Sequence, residues 1–265
     1  MKIDGPNAIE CVIDEGLARV TLNQPDRGNP IDRAFCKEIK ELAVELSERG
    51  DVRAVLLAAR GRFFSVGGDI KALAQDRSAI SRIVKSWTAD LHSAIARFMR
   101  MPAPIVAAVQ GNVAGGSVSL TAAADIVYAA DTVKFTAAFP MIGFSADSGS
   151  TITLSQRMGF SRAKRFLLMA ETLDASHALD CGLVDFVASS EDLMNQAEET
   201  ARKLARGATL AYGGIKQTMT KARSQGLESQ LEDEAQTLAT ISQSDDAWEG
   251  LSAFLEKRPP VFRGK

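Results

Sequence analysis

The sequence predicts an α/β fold with several right-handed crossovers, and three features carry that expectation. Short apolar runs, Ala54–Ala59 and Ile105–Val109, read as buried strands, with helical periodicity between them. Each run leads into a turn with paired glycines: Phe63-Phe64-Ser65-Val66-Gly67-Gly68-Asp69-Ile70 and Gly111-Asn112-Val113-Ala114-Gly115-Gly116-Ser117. Beyond Thr151 the pattern becomes mostly helical.

Along the chain, residues 8–22 read as a hairpin, with Ile9–Ile13 and Ala18–Leu22 flanking Asp14-Glu15-Gly16. A helix from about Asp32 to Glu48 places Phe35, Ile39, Leu42, Ala43 and Leu46 on one face. Strand Val52–Ala59 precedes the first glycine turn, and a long helix over Ser78–Met101 stops ahead of Pro102 and Pro104. Strand Ile105–Val109, the second glycine turn, a short helix through Val118–Ala124 and strands at Asp125–Tyr128 and Val133–Thr136 come next. Helices are expected near 151–158, 161–170, 174–181, 191–206, 208–224, 227–243 and 245–257, with one strand at Leu183–Val187. This pattern divides the chain into a core over 1–195 and a helical C-terminal region over 196–265.

Composition excludes several function classes. Lys and Arg number 31 against 33 Asp and Glu, a formal net charge of -2, which gives no field suited to non-specific nucleic-acid binding. Cys11, Cys36 and Cys181 are odd in number and widely spaced, which argues against a disulfide framework and fits a reducing compartment. Met1-Lys2-Ile3-Asp4-Gly5-Pro6 has no apolar signal core, and no apolar stretch is long enough to span a bilayer, so a cytoplasmic protein without membrane attachment is expected. No G-x-G-x-x-G follows the first strand, and no phosphate loop, G-x-S-x-G elbow or spaced metal-ligand cluster occurs, so neither a metal nor a separate cofactor is expected.

The chemistry is expected at the glycine turns and one later loop. Paired glycines leave peptide N–H groups uncovered, and a helix start adds free donors with a positive dipole end. Two such donors converging would stabilise a carbonyl oxygen as it gains charge, whereas apart they are ordinary tight turns. In the loop Ile142–Thr151, Asp147 reads either as a helix cap or as an acid/base, because Phe139-Pro140-Met141-Ile142-Gly143-Phe144 upstream would desolvate it. His92 reads as a packing or exposed mid-helix residue, and His177 as a surface residue. Arg27 and Asn29, in a polar loop between strand and helix, read as turn residues or, with Lys71, Lys257 and Arg258, as contacts for a phosphate-rich ligand.

Taken together, these segments resemble the crotonase superfamily, the enoyl-CoA hydratase/isomerase family. The resemblance rests on Asn23–Ile31, Phe63–Lys71, Pro104–Gly116, Asp125–Ala130, the 142–151 loop and Ala178–Val184, and it extends over essentially the whole chain. It implies a ββα spiral core with a C-terminal helical region, a homotrimeric or homohexameric assembly, and an acyl-CoA thioester as substrate, coenzyme A being part of that substrate. It implies that the amides of Gly68 and Gly116 hold the thioester oxygen. Coenzyme A contacts would fall at Arg27, Asn29, Gly67, Asp69, Ile70 and Lys71, with Phe254 and Lys257 from a neighbouring subunit, and the acyl group would meet Ala72, Leu73, Phe139, Met141, Ile142 and Phe144. The two glutamates of the family's hydratases fall at Ser119 and Phe139, so neither carboxylate is present. Asp147 instead resembles the catalytic aspartate of 1,2-epoxyphenylacetyl-CoA isomerase-like members, with Ala146 in place of their proline. The expectation is an isomerase that shifts a double bond through a thioester enolate. The alternatives are a hydratase, a hydrolytic dehalogenase of the 4-chlorobenzoyl-CoA type with His92 activating water, and a non-catalytic coenzyme A-binding member.

Overall fold

In the computed structural model, which describes residues 7–265, the strands divide between two sheets that the chain visits alternately. The segment Met1–Pro6, read above for a signal core, lies outside the described residues. The hairpin β1 (Ile9–Asp14) and β2 (Leu17–Leu22) leads into α1 (Arg33–Glu48). Three strand pairs come after it: β3 (Ala54–Ala59) with β4 (Phe63–Ser65), β5 (Ile105–Val109) with β6 (Asn112–Ala114), and β7 (Ile126–Ala130) with β8 (Lys134–Thr136). Helices α2 (Ile70–Leu73) and α3 (Ile80–Arg100) succeed the first pair, and α4 (Gly116–Ala122) succeeds the second. Then come α5 (Ser150–Met158), α6 (Phe160–Leu168), β9 (Thr172–Asp174), α7 (Ala175–Asp180), β10 (Phe186–Ala188) and α8 (Leu193–Ala205). The chain ends with α9 (Thr209–Lys221), α10 (Leu227–Ile241) and α11 (Asp245–Leu255).

The larger sheet runs β1-β2-β3-β5-β7-β10, parallel except for the β1/β2 hairpin, and the smaller runs β4-β6-β8-β9, with only β9 antiparallel. Each strand pair therefore sends its first strand to the large sheet and its second to the small one, so that successive units stack as turns of a ββα spiral. β5 is buried at every position, as a parallel strand covered on both faces must be. Its covering comes from α8, whose Ala197, Ala201 and Ala205 are buried against β3 and β5 and permit a close approach. On α1, Phe35, Ile39, Leu42, Ala43 and Leu46 are buried as the periodicity predicts, and this helix packs on α3.

The departures from expectation are confined to short elements. Phe63–Ser65 and Asn112–Ala114, read as turns, are strands of the small sheet, and Thr172–Asp174 is a strand ahead of α7. Three residues carry too little alternation to register as strands, and their pairing is supplied by neighbours distant in sequence. The strand expected at 183–187 lies at Phe186–Ala188. A division at 195/196 falls inside α8, the helix that covers the core sheet. The helices beyond it are fastened by Lys216, whose ammonium reaches Asp125 at 2.8 Å and the Ala103 carbonyl at 3.1 Å, and by Arg53, which donates to the Gly207 and Phe262 carbonyls at 2.6 and 3.0 Å. Among the described residues, no helix is long and apolar enough to cross a membrane.

One side chain ties the loop after β2 to the loop after β3. Asn29 is 2% exposed and holds a left-handed backbone (φ 53), a conformation asparagine tolerates better than most residues. Its Oδ1 accepts from the Gln24 amide at 2.7 Å, and its Nδ2 donates to the carbonyls of Arg60, Phe63 and Phe64 at 2.9, 3.0 and 3.2 Å. Asn29→Ala removes the shared partner of these part-buried and buried groups, and urea unfolding is expected to show a loss of about 3 kcal/mol. A variant within about 1 kcal/mol of the parent, the net worth of a single hydrogen bond, would refute this account of the loop.

Candidate active site

The two glycine turns end side by side because β4 and β6 are parallel neighbours. Gly67 (φ 83) approaches the second turn so closely that a Cβ there would stand 2.7 Å from the Ala114 carbonyl oxygen, which only glycine permits. Buried hydroxyls lock the pair: Ser65 Oγ donates to the Asn29 carbonyl at 2.6 Å and therefore accepts from Ser117 Oγ at 2.5 Å.

Both candidate amides border one cavity. Gly68 forms a parallel bridge with Ile31, in which the Ile31 amide donates to the Gly67 carbonyl (2.8 Å) and the Asp69 amide to the Ile31 carbonyl (3.0 Å). The N–H of Gly68 itself consequently points away from Ile31. Gly116 opens α4, so its N–H is one of the first-turn donors without an intrahelical acceptor. Neither amide has a hydrogen-bond acceptor among the described residues. The cavity they border holds about 820 Å³ of empty space, part of it open to solvent. Its lining is apolar apart from Thr88, Ser145 and Asp147, and Asp147 is the one titratable lining group among the described residues.

Asp147 stands against the second glycine turn. A Cβ on Gly116 would lie 3.1 Å from Asp147 Oδ1 and 2.6 Å from Ser148 Oγ. Burial pushes the Asp147 carboxyl above its ordinary value, while the hydrogen bond from Ser148 Oγ (3.0 Å) opposes the shift. The loop is held from behind. The Ser150 amide and hydroxyl donate to the Asp147 carbonyl at 2.9 and 2.5 Å, Ser150 Oγ also bonds to buried Ser119 Oγ, and the Ser148 amide donates to His92 Nε2 at 3.0 Å. The cap at the head of α5 is Gly149, and Asp147 contributes its carbonyl there and leaves its carboxylate at the cavity.

The remaining expected residues take several positions. Gly67, Ile70, Phe139 and Phe144 line the cavity, as do Leu73 and Ile142, whereas Ala72 and Met141 do not. Half-exposed Arg27 donates to Asp32 at 2.7 Å and Asp69 at 2.5 Å, clamping the carboxylates that cap α1 and α2. Asn29 offers a ligand only main-chain atoms, its side chain being engaged in the loop. Lys71 is exposed on α2, and Phe254, 82% exposed on α11, and Lys257 lie outside the cavity lining. His177 pairs with the cap residue Asp174 at the surface. The sequence reading missed the face of α3 that carries Val84, Trp87, Thr88 and Leu91 into the cavity. Their i, i+3, i+4, i+7 spacing is visible in the sequence, but it marks a buried face without saying whether core or cavity lies opposite.

The family described as Enoyl-CoA hydratase/isomerase matches residues 12–265. A probable enoyl-CoA hydratase of Rhodobacter capsulatus is 35% identical, covering 98% of this chain and 99% of that one. The 1,2-epoxyphenylacetyl-CoA isomerase of Escherichia coli is 32% identical over 96% of this chain and 97% of its own. The solved structure of a putative enoyl-CoA hydratase/isomerase from Mycobacterium abscessus superposes with a TM-score of 0.91 at 30% identity, over 97% of this chain and all of that one. With its spiral of ββα units, its paired glycine turns and a match along nearly its whole length, the chain belongs to the enoyl-CoA hydratase/isomerase family and has the crotonase fold.

Proposed function

We propose that the protein is an acyl-CoA isomerase in which Asp147 removes a proton from one carbon of the acyl chain and returns it to another. The observation that carries this reading is a single carboxylate in an apolar cavity bordered by two main-chain amides. The Gly68 and Gly116 N–H groups would receive the thioester oxygen and hold the enolate between the two proton transfers. Desolvation suits Asp147 to the task, because a carboxylate with a raised pKa is a stronger base when ionised and a ready acid once protonated. The C–H bond breaks to Asp147, the double bond shifts through the enolate, and the same proton or its solvent-exchanged replacement closes the new C–H bond. Coenzyme A would lie across the loops of Arg27, Asn29, Gly67, Asp69, Ile70 and Lys71. The apolar lining favours a hydrocarbon or aryl acyl group. The same reading takes the protein as a homotrimer or homohexamer in the cytoplasm, which sedimentation and cell fractionation would read.

A hydratase reading draws on the name of the Rhodobacter relative. Against it stand the residues at the two glutamate positions: Ser119 is buried and bonded to Ser150, and Phe139 presents a ring to the cavity. Turnover of trans-2-enoyl, trans-3-enoyl and aryl-acetyl thioesters in heavy-oxygen water separates the two. An isomerase product carries no label, and a labelled product would overturn the proposal.

Asp147→Asn is expected to reduce turnover by roughly 10²- to 10⁴-fold, with acyl-CoA binding by calorimetry retained. In the parent, kcat should fall on acidification with a midpoint above the ordinary aspartate value of about 3.9, because the base must be ionised and burial raises its pKa. The stability effect has the opposite sense. A raised pKa means the folded chain holds the proton more tightly than the unfolded one, a contribution present at low pH and lost as pH rises through the folded value. Asp147→Asn, permanently neutral, should therefore melt higher than the parent near pH 7, with the gap closing below about pH 4. A gap that widens on acidification would contradict the raised pKa.

A further inference from the structure

The loop that carries Asp147 has a feature its sequence gives no reason to expect. Ser148 holds a left-handed backbone (φ 54) although it is not glycine, and Gly149 continues in the same region (φ 77). Such a conformation is strained for a non-glycine residue and persists only where the surroundings hold it. Ser148 is fully buried, and its amide is directed at the ring of His92 on α3, which it meets at 3.0 Å.

That hydrogen bond determines the state of the imidazole. A peptide N–H can only donate, so Nε2 must be the unprotonated acceptor, and the ring is neutral with its proton on Nδ1. His92 borders a surface hollow with Ile95, Ala96 and Met99, and Asp147 lies between that hollow and the acyl cavity, lining both. Of the two, only Asp147 lines the acyl cavity. The lone pair a base would need is already engaged by Ser148.

We infer that His92 is the positioning residue of this active site: as a neutral, Nδ1-protonated acceptor it fixes the Ser148 amide and thereby aims the Asp147 carboxylate at the acyl chain. This deepens the proposed function and rests on Asp147 being its acid/base. It also removes the role of water-activating base that the dehalogenase resemblance would give His92.

Three measurements test it. In protein labelled with ¹⁵N-histidine and carrying His177→Gln, His92 is the only ring, and its nitrogen shifts at neutral pH should show Nδ1 protonated and Nε2 bare; a protonated Nε2 overturns the inference. Hydrogen exchange at the Ser148 amide should accelerate in His92→Ala and return toward the parent rate in His92→Gln, whose Oε1 sits near the place of Nε2 and can accept. For deuterium wash-in from heavy water into trans-3-hexenoyl-CoA, His92→Ala should lower kcat on the order of 100-fold, as expected for a misplaced catalytic group, with KM held. His92→Gln should recover most of that loss, since it restores the acceptor without restoring a base. His92→Gln as inactive as His92→Ala would make the ring a proton carrier and overturn the inference, as would His92→Ala with parental kcat. His92 is exposed on its helix, so thermal melting should confirm that both variants fold. Asp147→Asn runs alongside: retained wash-in there sinks the acid/base reading, while the tautomer and the amide exchange still decide the role of His92.

Discussion

The parallel pairing of β4 with β6 is the constraint on which the site depends. Donors from two distant turns can meet only if the chain returns to the same place in the same orientation, and the spiral does this by construction. Each ββα unit contributes one strand to each sheet, so equivalent positions in successive units become neighbours. The turn after β4 in one unit is therefore placed beside the turn after β6 in the next. The absence of a side chain at Gly67 lets the turns close onto the Ala114 carbonyl, and the Ser65–Ser117 hydroxyl pair keeps them there. A bulkier residue at Gly67 would separate the very strands that bring the amides together, so the fold and the site share one contact.

The aspartate loop has to satisfy two demands that oppose each other. Burial raises the proton affinity of Asp147, and the same burial penalises its ionised form. A single hydrogen bond from Ser148 Oγ tempers the penalty without neutralising the charge as an arginine would. Everything else that holds the loop acts on its main chain: Ser150 on the Asp147 carbonyl, Ser119 on Ser150, and His92 on the Ser148 amide. The carboxylate is thus fixed in direction while its own oxygens stay largely uncommitted, a state of affairs a proton-transfer group requires.

What the sequence made legible was whatever rests on local periodicity. α1 announced itself by a 3.6-residue apolar repeat, the end of α3 by Pro102 and Pro104, and β3 and β5 by uninterrupted aliphatic runs, because these signals act along a single element. β4, β6 and β9 stayed invisible because three residues form a strand only when a partner is supplied from elsewhere. For the site, Asp147 stood out through the apolar segment before it, yet Gly149 turned out to cap α5. The contact between His92 and Ser148 bridges two elements remote in sequence, and no local pattern encodes it. The clamp of Arg27 on Asp32 and Asp69 was hidden in the same way, since the guanidinium read equally well as a ligand for phosphate.

Residues 119 and 139 bear on how the aspartate loop is accommodated. Ser119 is fully buried, and its hydroxyl touches Ser150 Oγ, which in turn holds the Asp147 carbonyl. A glutamate at 119 would fill the space that Ser150 occupies and push the head of α5 outward, taking Asp147 with it. A carboxylate on α4 and a carboxylate on this loop are therefore competing occupants of one region, and the short side chain at 119 is what allows the loop to close. Phe139 covers part of the cavity wall with a ring that neither binds nor activates water. The short side chain at 119 and the position of the Asp147 loop are accordingly linked, and Asp147 is the one titratable group lining the cavity among the described residues.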